Sequence, residues 1–208
     1  MRLADFVIKF LEEKKIDTVF TVSGGGSIFL CDALYKSKKL KYIACHHEQA
    51  VAYATESYSR ARNKPGAAIV TTGPGGTNCA SGVACCWIDS VPAIFISGQV
   101  FLNQTIGNSG LRQVGVQEFD IVNMIKSSTK YAVTIKNPNE IKYHLEKAYH
   151  ICTEGRPGPV WIEVPLDIQS MLTKKKKIIL NKKPKNNFAI FLILPSSIKS
   201  FLFFTLGL

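Results

Sequence analysis

The segment Ala67-Ala68-Ile69-Val70-Thr71 constrains the fold most, because it is apolar up to its last residue and shows almost no polar alternation. A strand with one wet face alternates; a strand covered on both faces does not. It breaks at once into Gly73-Pro74-Gly75-Gly76, and residues 75–87 read as a helix. The same pattern recurs along the chain. Residues 18–22 form a β-branched run that ends at Ser23-Gly24-Gly25-Gly26, after which residues 28–35 have helical character. Lys41-Tyr42-Ile43-Ala44 leads into a helix over about 47–61, and residues 93–97 end at Ser97-Gly98-Gln99. Repetition of strand, glycine turn and helix predicts an α/β fold: a doubly wound parallel sheet flanked by helices on both faces, with right-handed crossovers.

The flanking parts extend this plan. Leu3, Phe6, Val7, Phe10 and Leu11 recur at helical spacing, which predicts an amphipathic first helix. Residues 101–115, with Gly107, Gly110 and Gly115, read as a long loop, a class that is usually functional when it occurs in a compact domain. A short helix over 118–125, a strand over 130–135, a helix over 138–152 and a closing strand over 158–164 complete the expectation.

Charge divides the chain in two. The net charge of +11 is misleading, since all 15 acidic residues lie at or before Asp167 and 8 lysines crowd into residues 174–199. Residues 1–169 are therefore read as the domain and 170–208 as an irregular basic and apolar tail. The main domain holds 18 Lys+Arg against 15 Asp+Glu, a net +3, which gives a nucleic-acid partner little support. In the tail, Pro195-Ser196-Ser197 and Lys199 interrupt the apolar run 188–208, where a charge in a bilayer is costly. The tail is accordingly read as a disordered or frame-shifted extension and not as a membrane anchor. The six cysteines show neither a CxxC nor a paired metal spacing, and no secretory signal opens the sequence, which suits a reduced cytoplasmic setting.

Glu48 opens the helix after residues 41–44, and read alone it complements the helix dipole. His46 and His47 beside it are equally readable as strand-end residues bonded to backbone; neither has a metal partner four residues on, and no metal site is expected. The Gly73–Gly76 turn permits close backbone approach and exposes N–H groups at a helix start, although a sharp strand-to-helix turn needs glycine for steric reasons alone. Gly24-Gly25-Gly26 fits a dinucleotide fingerprint poorly, since its third glycine would fall at Phe29.

Taken together, His47-Glu48-Gln49, Thr72-Gly73-Pro74-Gly75-Gly76-Thr77-Asn78, Asp89-Ser90-Val91-Pro92, Ser97-Gly98-Gln99, Gln117-Glu118 and Gly155-Arg156-Pro157-Gly158-Pro159-Val160 carry a resemblance. In order and spacing they resemble the amino-terminal, pyrimidine-binding domain of thiamine-diphosphate enzymes, in particular the acetolactate synthase large subunit and its relatives. The resemblance implies that Glu48 faces the pyrimidine nitrogen distal to the thiazolium. There a carboxyl favours the imino tautomer of the exocyclic amine, which then takes the thiazolium C2 proton. It implies Gly24, Gly25, Thr72, Pro74, Asn78 and Gln99 around the pyrimidine, with Gln117 on the substrate side. The implied reaction decarboxylates a 2-oxo acid and transfers the acyl carbanion to a second carbonyl. The implied partner is a diphosphate-binding domain, from a homodimer mate or another chain, that supplies Mg²⁺.

Three departures stand out. The family's usual Gly-Tyr-Pro-Gly-Gly is here Thr21-Val22-Ser23-Gly24-Gly25, and Val116 replaces the aromatic residue that usually precedes the Gln-Glu pair. Both changes lie toward the substrate. No Gly-Asp-Gly occurs in the chain, and nothing corresponds to the middle domain that binds FAD in full-length relatives. The chain therefore offers half of a cofactor site. Its rival readings are one subunit of a two-chain enzyme and a folded, non-catalytic remnant.

Overall fold

The computed structural model describes residues 1–173. The tail beyond them, with the expectations of disorder, frame shift or membrane contact attached to it, lies outside the described residues. The helices and strands follow one another as α1 (Leu3–Glu13), β1 (Thr18–Thr21), α2 (Ile28–Lys36), β2 (Lys41–Ala44), α3 (Glu48–Arg62), β3 (Gly66–Val70), α4 (Pro74–Thr77), α5 (Ala80–Ile88), β4 (Ala93–Gln99), α6 (Ile121–Ile125), β5 (Tyr131–Thr134), α7 (Ile141–Thr153), β6 (Pro159–Pro165) and α8 (Leu166–Ser170).

The strands make one six-stranded sheet in the order β2-β1-β3-β4-β6-β5, and every pairing is parallel. Both faces are covered, as the unalternated strands require. One face packs Val19, Ile69, Ile96 and Ile162 against α1, α2, α7 and α8. The other packs Phe20, Val70, Phe95 and Trp161 against α3, α5 and α6. Trp161 stacks on Phe95 at 5.6 Å between ring centroids, a pair worth about 0.5–1.5 kcal/mol beyond its buried area. On that side α3 and α5 approach closely, and a Cβ on Gly82 would stand 2.4 Å from that of Ala52.

The order of connection reverses at β1: β2 lies on one side of it and β3 on the other. The loops leaving β1 and β3 therefore flank a crevice at the carboxyl edge of the sheet, the position where open α/β sheets hold ligands. β2 and β5 are the two edge strands, and all four residues of β2 are exposed.

One local detail differs from the sequence reading. The helix expected over 75–87 is broken into α4 and α5, because the chain tightens at Cys79, whose N–H donates to the Gly76 carbonyl at 3.0 Å, three residues back. Two glycines in the first turn lower its helical preference, and the Cys79 thiol ties back to the Gly75 carbonyl at 3.5 Å. The described chain continues to residue 173. Leu172 bridges to Arg2, and the Thr173 N–H donates to the Met1 carbonyl at 3.0 Å.

Candidate functional site

β2 carries the chain to the sheet edge, where His47 caps α3: its Nδ1 accepts the Gln49 N–H at 3.1 Å. Glu48 follows as the first helical residue and is half-buried. Its carboxylate is held from across the sheet, since Asn78 Nδ2 donates to Glu48 Oε2 at 2.9 Å. Asn78 reaches it because α4 ends there, one turn after Gly73. Glu48 Oε1 accepts no hydrogen bond among the described residues. Beside it, a Cβ on Gly75 would lie 3.7 Å from Oε1 and only 2.7 Å from the Thr71 methyl. Glycine at that position keeps the approach to the open oxygen clear.

The β1 and β3 loops interlock at Thr71. Its hydroxyl accepts the Gly26 N–H at 3.1 Å, and a Cβ on Gly24 would meet its side chain at 2.5 Å. A Cβ on Gly25 would meet nothing within 4 Å, and that residue lies open to solvent. Pro74 is exposed at the first position of α4. Gly73 (φ +55°) packs directly under the Gln117 backbone, itself at φ +60°. A Cβ on Gly73 would come within 1.9 Å of the Gln117 carbonyl oxygen. Gln117, exposed, thus sits over the Gly73 turn. A cleft of about 420 Å³ runs between the glycines of the β1 loop, Thr72 and the 114–117 segment; Glu48 and Asn78 do not line it.

Gln99 ends β4 and is 2% exposed. Its Oε1 accepts the Thr72 hydroxyl and the Val100 N–H at 3.0 Å. Its Nε2 donates to the Phe119 carbonyl at 2.9 Å and to Glu163 Oε1 at 2.8 Å. Glu163, 4% exposed on β6, also accepts the Thr134 hydroxyl at 2.6 Å. Burial pushes its carboxyl up to about 7, against the pull of the Thr134 and Gln99 hydrogen bonds and with the help of nearby Asp120 and Glu118. Glu118 organises the long loop by accepting the N–H groups of Ile106 and Val114.

Glu48, Thr71, Gly75 and Asn78 are thereby brought together, while Gly24, Gly25, Thr72 and Gln117 stand round the neighbouring cleft. Gln99 is a strut whose amide is committed to protein partners. Sequence reasoning passes over Thr71 and Glu163. The signal for Glu163 is nonetheless visible: it is an acid inside Val160-Trp161-Ile162-Glu163-Val164, a strand apolar on both faces. Cys79, beside Glu48, is buried, and burial foremost and the Glu48 charge second raise its thiol. Among the described residues no three His, Cys, Asp or Glu side chains converge to hold a metal ion, and no helix is long and apolar enough to cross a membrane.

Comparison with known proteins gives a consistent result. The family model described as "Thiamine pyrophosphate enzyme, N-terminal TPP binding domain" matches residues 1–124. Acetolactate synthase, chloroplastic, of Arabidopsis thaliana is 39% identical over 169 residues, covering 81% of this chain and 24% of the relative. The acetolactate synthase large subunit of Corynebacterium glutamicum is 36% identical over 167 residues, 80% of this chain and 26% of the relative. The mitochondrial acetolactate synthase catalytic subunit of Saccharomyces cerevisiae is 33% identical over 166 residues, 80% of this chain and 23% of the relative. The chain thus spans about a quarter of the length of these curated relatives.

Proposed function

The chain belongs to the thiamine pyrophosphate enzymes, and we propose that it provides the aminopyrimidine-binding half of an acetolactate-synthase-like site with Glu48 as its functional carboxyl. The observation that carries this reading is the state of that side chain: one oxygen fixed by Asn78 at 2.9 Å, the other open beside a glycine turn. A carboxyl held in this way fits the edge of a flat heterocycle whose nitrogen shares a proton with it. Thiamine diphosphate, when bound, supplies the acyl-carbanion chemistry for decarboxylating a 2-oxo acid and passing its acyl group to a second carbonyl.

The chain's residues contribute binding, orientation and proton placement. Asn78 stops the carboxylate from rotating, so Oε1 keeps one direction. Glu48 Oε1 holds the proton shared with the ring nitrogen, and water exclusion strengthens that bond. The Gly73–Gly75 turn brings backbone close enough to lie against the ring, with Pro74 beside it. Gly24 and Gly25 supply the opposite lip, and Thr72 and Gln99 brace the floor. Gln117 faces the 2-oxo acid.

The diphosphate end lacks counterparts among the described residues, which offer no metal-binding cluster. Mg²⁺ and the diphosphate contacts therefore come from a partner domain in this reading. The outer surface of α3 and α5 suits such a partner: Tyr53, Trp87 and Ile88 are 41%, 43% and 67% exposed there.

The test is an NMR titration of thiamine diphosphate with Mg²⁺ into the full chain. Amide shifts centred on Glu48 and residues 73–78 are expected, weakened about tenfold or more in Glu48→Gln, as for loss of a charge-assisted hydrogen bond. Shifts that map elsewhere, or equal binding by Glu48→Gln, would refute the assignment.

A further inference from the structure

We propose that Glu163 is a positioning residue for this site, acting through the Gln99 amide to hold the 115–119 loop against the Gly73 turn. Every hydrogen-bonding position of that amide is in use. An amide has two N–H donors and two acceptor sites. The Gln99 donors go to Glu163 Oε1 and the Phe119 carbonyl at 2.8 and 2.9 Å. Its oxygen takes the Thr72 hydroxyl and the Val100 N–H. The orientation follows from chemistry, since the Phe119 carbonyl can only accept and the Val100 N–H can only donate. Glu163 is itself clamped on its far side by Thr134, its in-register partner on β5, at 2.6 Å.

The consequence runs in both directions along the edge. Through Phe119, the amide fixes the segment whose Gln117 carbonyl rests on Gly73. Through Thr72, it fixes the residue that precedes Gly73. Glu163 thus ties together three strands' ends and the loop over them, without touching the cleft of about 420 Å³ that the loop covers.

The carboxyl is also able to exchange its proton. It lines a separate cavity of about 140 Å³ with Glu118, Asp120 and Lys136. Two carboxylates and one ammonium therefore face it from the loop, the start of α6 and the end of β5. Burial already raises its titration toward neutrality. In the acid form the proton sits on Oε2 and is donated to Thr134, leaving Oε1 to accept from Gln99. In the ionised form the bond from Gln99 becomes charge-assisted and stronger. The hold on the loop accordingly tightens as Glu163 loses its proton to solvent.

The importance of this hold for the cofactor rests on the pyrimidine-site reading, whereas the hold itself does not, so the experiment uses no cofactor. The Gln99 side-chain amide of the ¹⁵N-labelled full chain is followed between about pH 5.5 and 8.5, with exchange of the Gly115, Glu118 and Ile121 amides. In wild type the Gln99 resonance should titrate with a midpoint near the value of about 7 set for Glu163. In Glu163→Gln that titration should vanish, and loop exchange should stay at the level that wild type shows below its midpoint, where the carboxyl carries its proton. In Glu163→Leu the loop amides should exchange about tenfold faster, as expected for a lost buried hydrogen bond. A flat Gln99 profile in wild type, a surviving titration in Glu163→Gln, or unchanged loop exchange in Glu163→Leu would overturn the proposal. Should Glu163→Leu fail to fold, the wild-type and Glu163→Gln profiles decide alone.

Discussion

Gly73→Ala offers the sharpest test of how the edge is built. Gly73 has φ +55° and ψ −116°, a sparsely populated region that costs a residue with a Cβ about 1–3 kcal/mol. Gly155 provides a control, with φ +62° and nothing within 4 Å of an added Cβ. The difference lies in the neighbour. At Gly73 the added carbon would stand 1.9 Å from the Gln117 carbonyl oxygen, which is backbone. Roughly an ångström or more of displacement is needed to reach van der Waals contact. Moving the loop that far breaks the Gln99–Phe119 hydrogen bond, a further loss of about 1–2 kcal/mol. Gly155→Ala should therefore cost about 1–3 kcal/mol and Gly73→Ala about 2–5 kcal/mol, a gap of about 1–2 kcal/mol worth about 2–8 °C in Tm for a chain of this size. Urea unfolding with unchanged denaturant slope would measure both. Equal losses in the two variants would refute the reasoning, because it attributes the gap to the Gln117 carbonyl alone.

Two further outcomes are expected. The Glu163 carboxyl is raised from 4.5 to about 7 by burial, so the folded state binds its proton more tightly than the unfolded chain does. Its contribution to stability is full below the unfolded value and is lost as pH rises toward 7, by about 3 kcal/mol; urea midpoints should fall across that window in wild type and lose that slope in Glu163→Gln. Among the thiols, burial pushes Cys86 and Cys152 up to about 12 and raises Cys79 further. Ellman's reagent on the native chain should therefore reach only the half-buried Cys31, Cys45 and Cys85, with Cys45 slowed by its raised thiol; rapid reaction of all six would contradict the packing.

Much of the edge was legible because its signals are local. Glycines at 24, 25, 73 and 75 mark turns, and an acid placed just after a strand marks a helix start, so Glu48 and the Gly73 turn were visible without a structure. The break between α4 and α5 was harder to read. It depends on a thiol that reaches back to a carbonyl and on glycines at the start of a helix, a balance of small local energies that residue spacing does not report.

By itself the sequence determined the sheet and its two covered faces, since unalternated apolar strands have no other stable arrangement than burial on both sides. It also determined the place of Glu48 at the first turn of α3. Tertiary structure alone decided what that carboxylate meets: Asn78 comes from 30 residues away, across a strand order that reverses at β1. It alone decided that Gly73 supports Gln117, and that Gln99 is tied to Glu163 over a separation of 64 residues. Such contacts depend on which strands become neighbours, and strand order follows from packing the whole chain, to which no single segment carries the address.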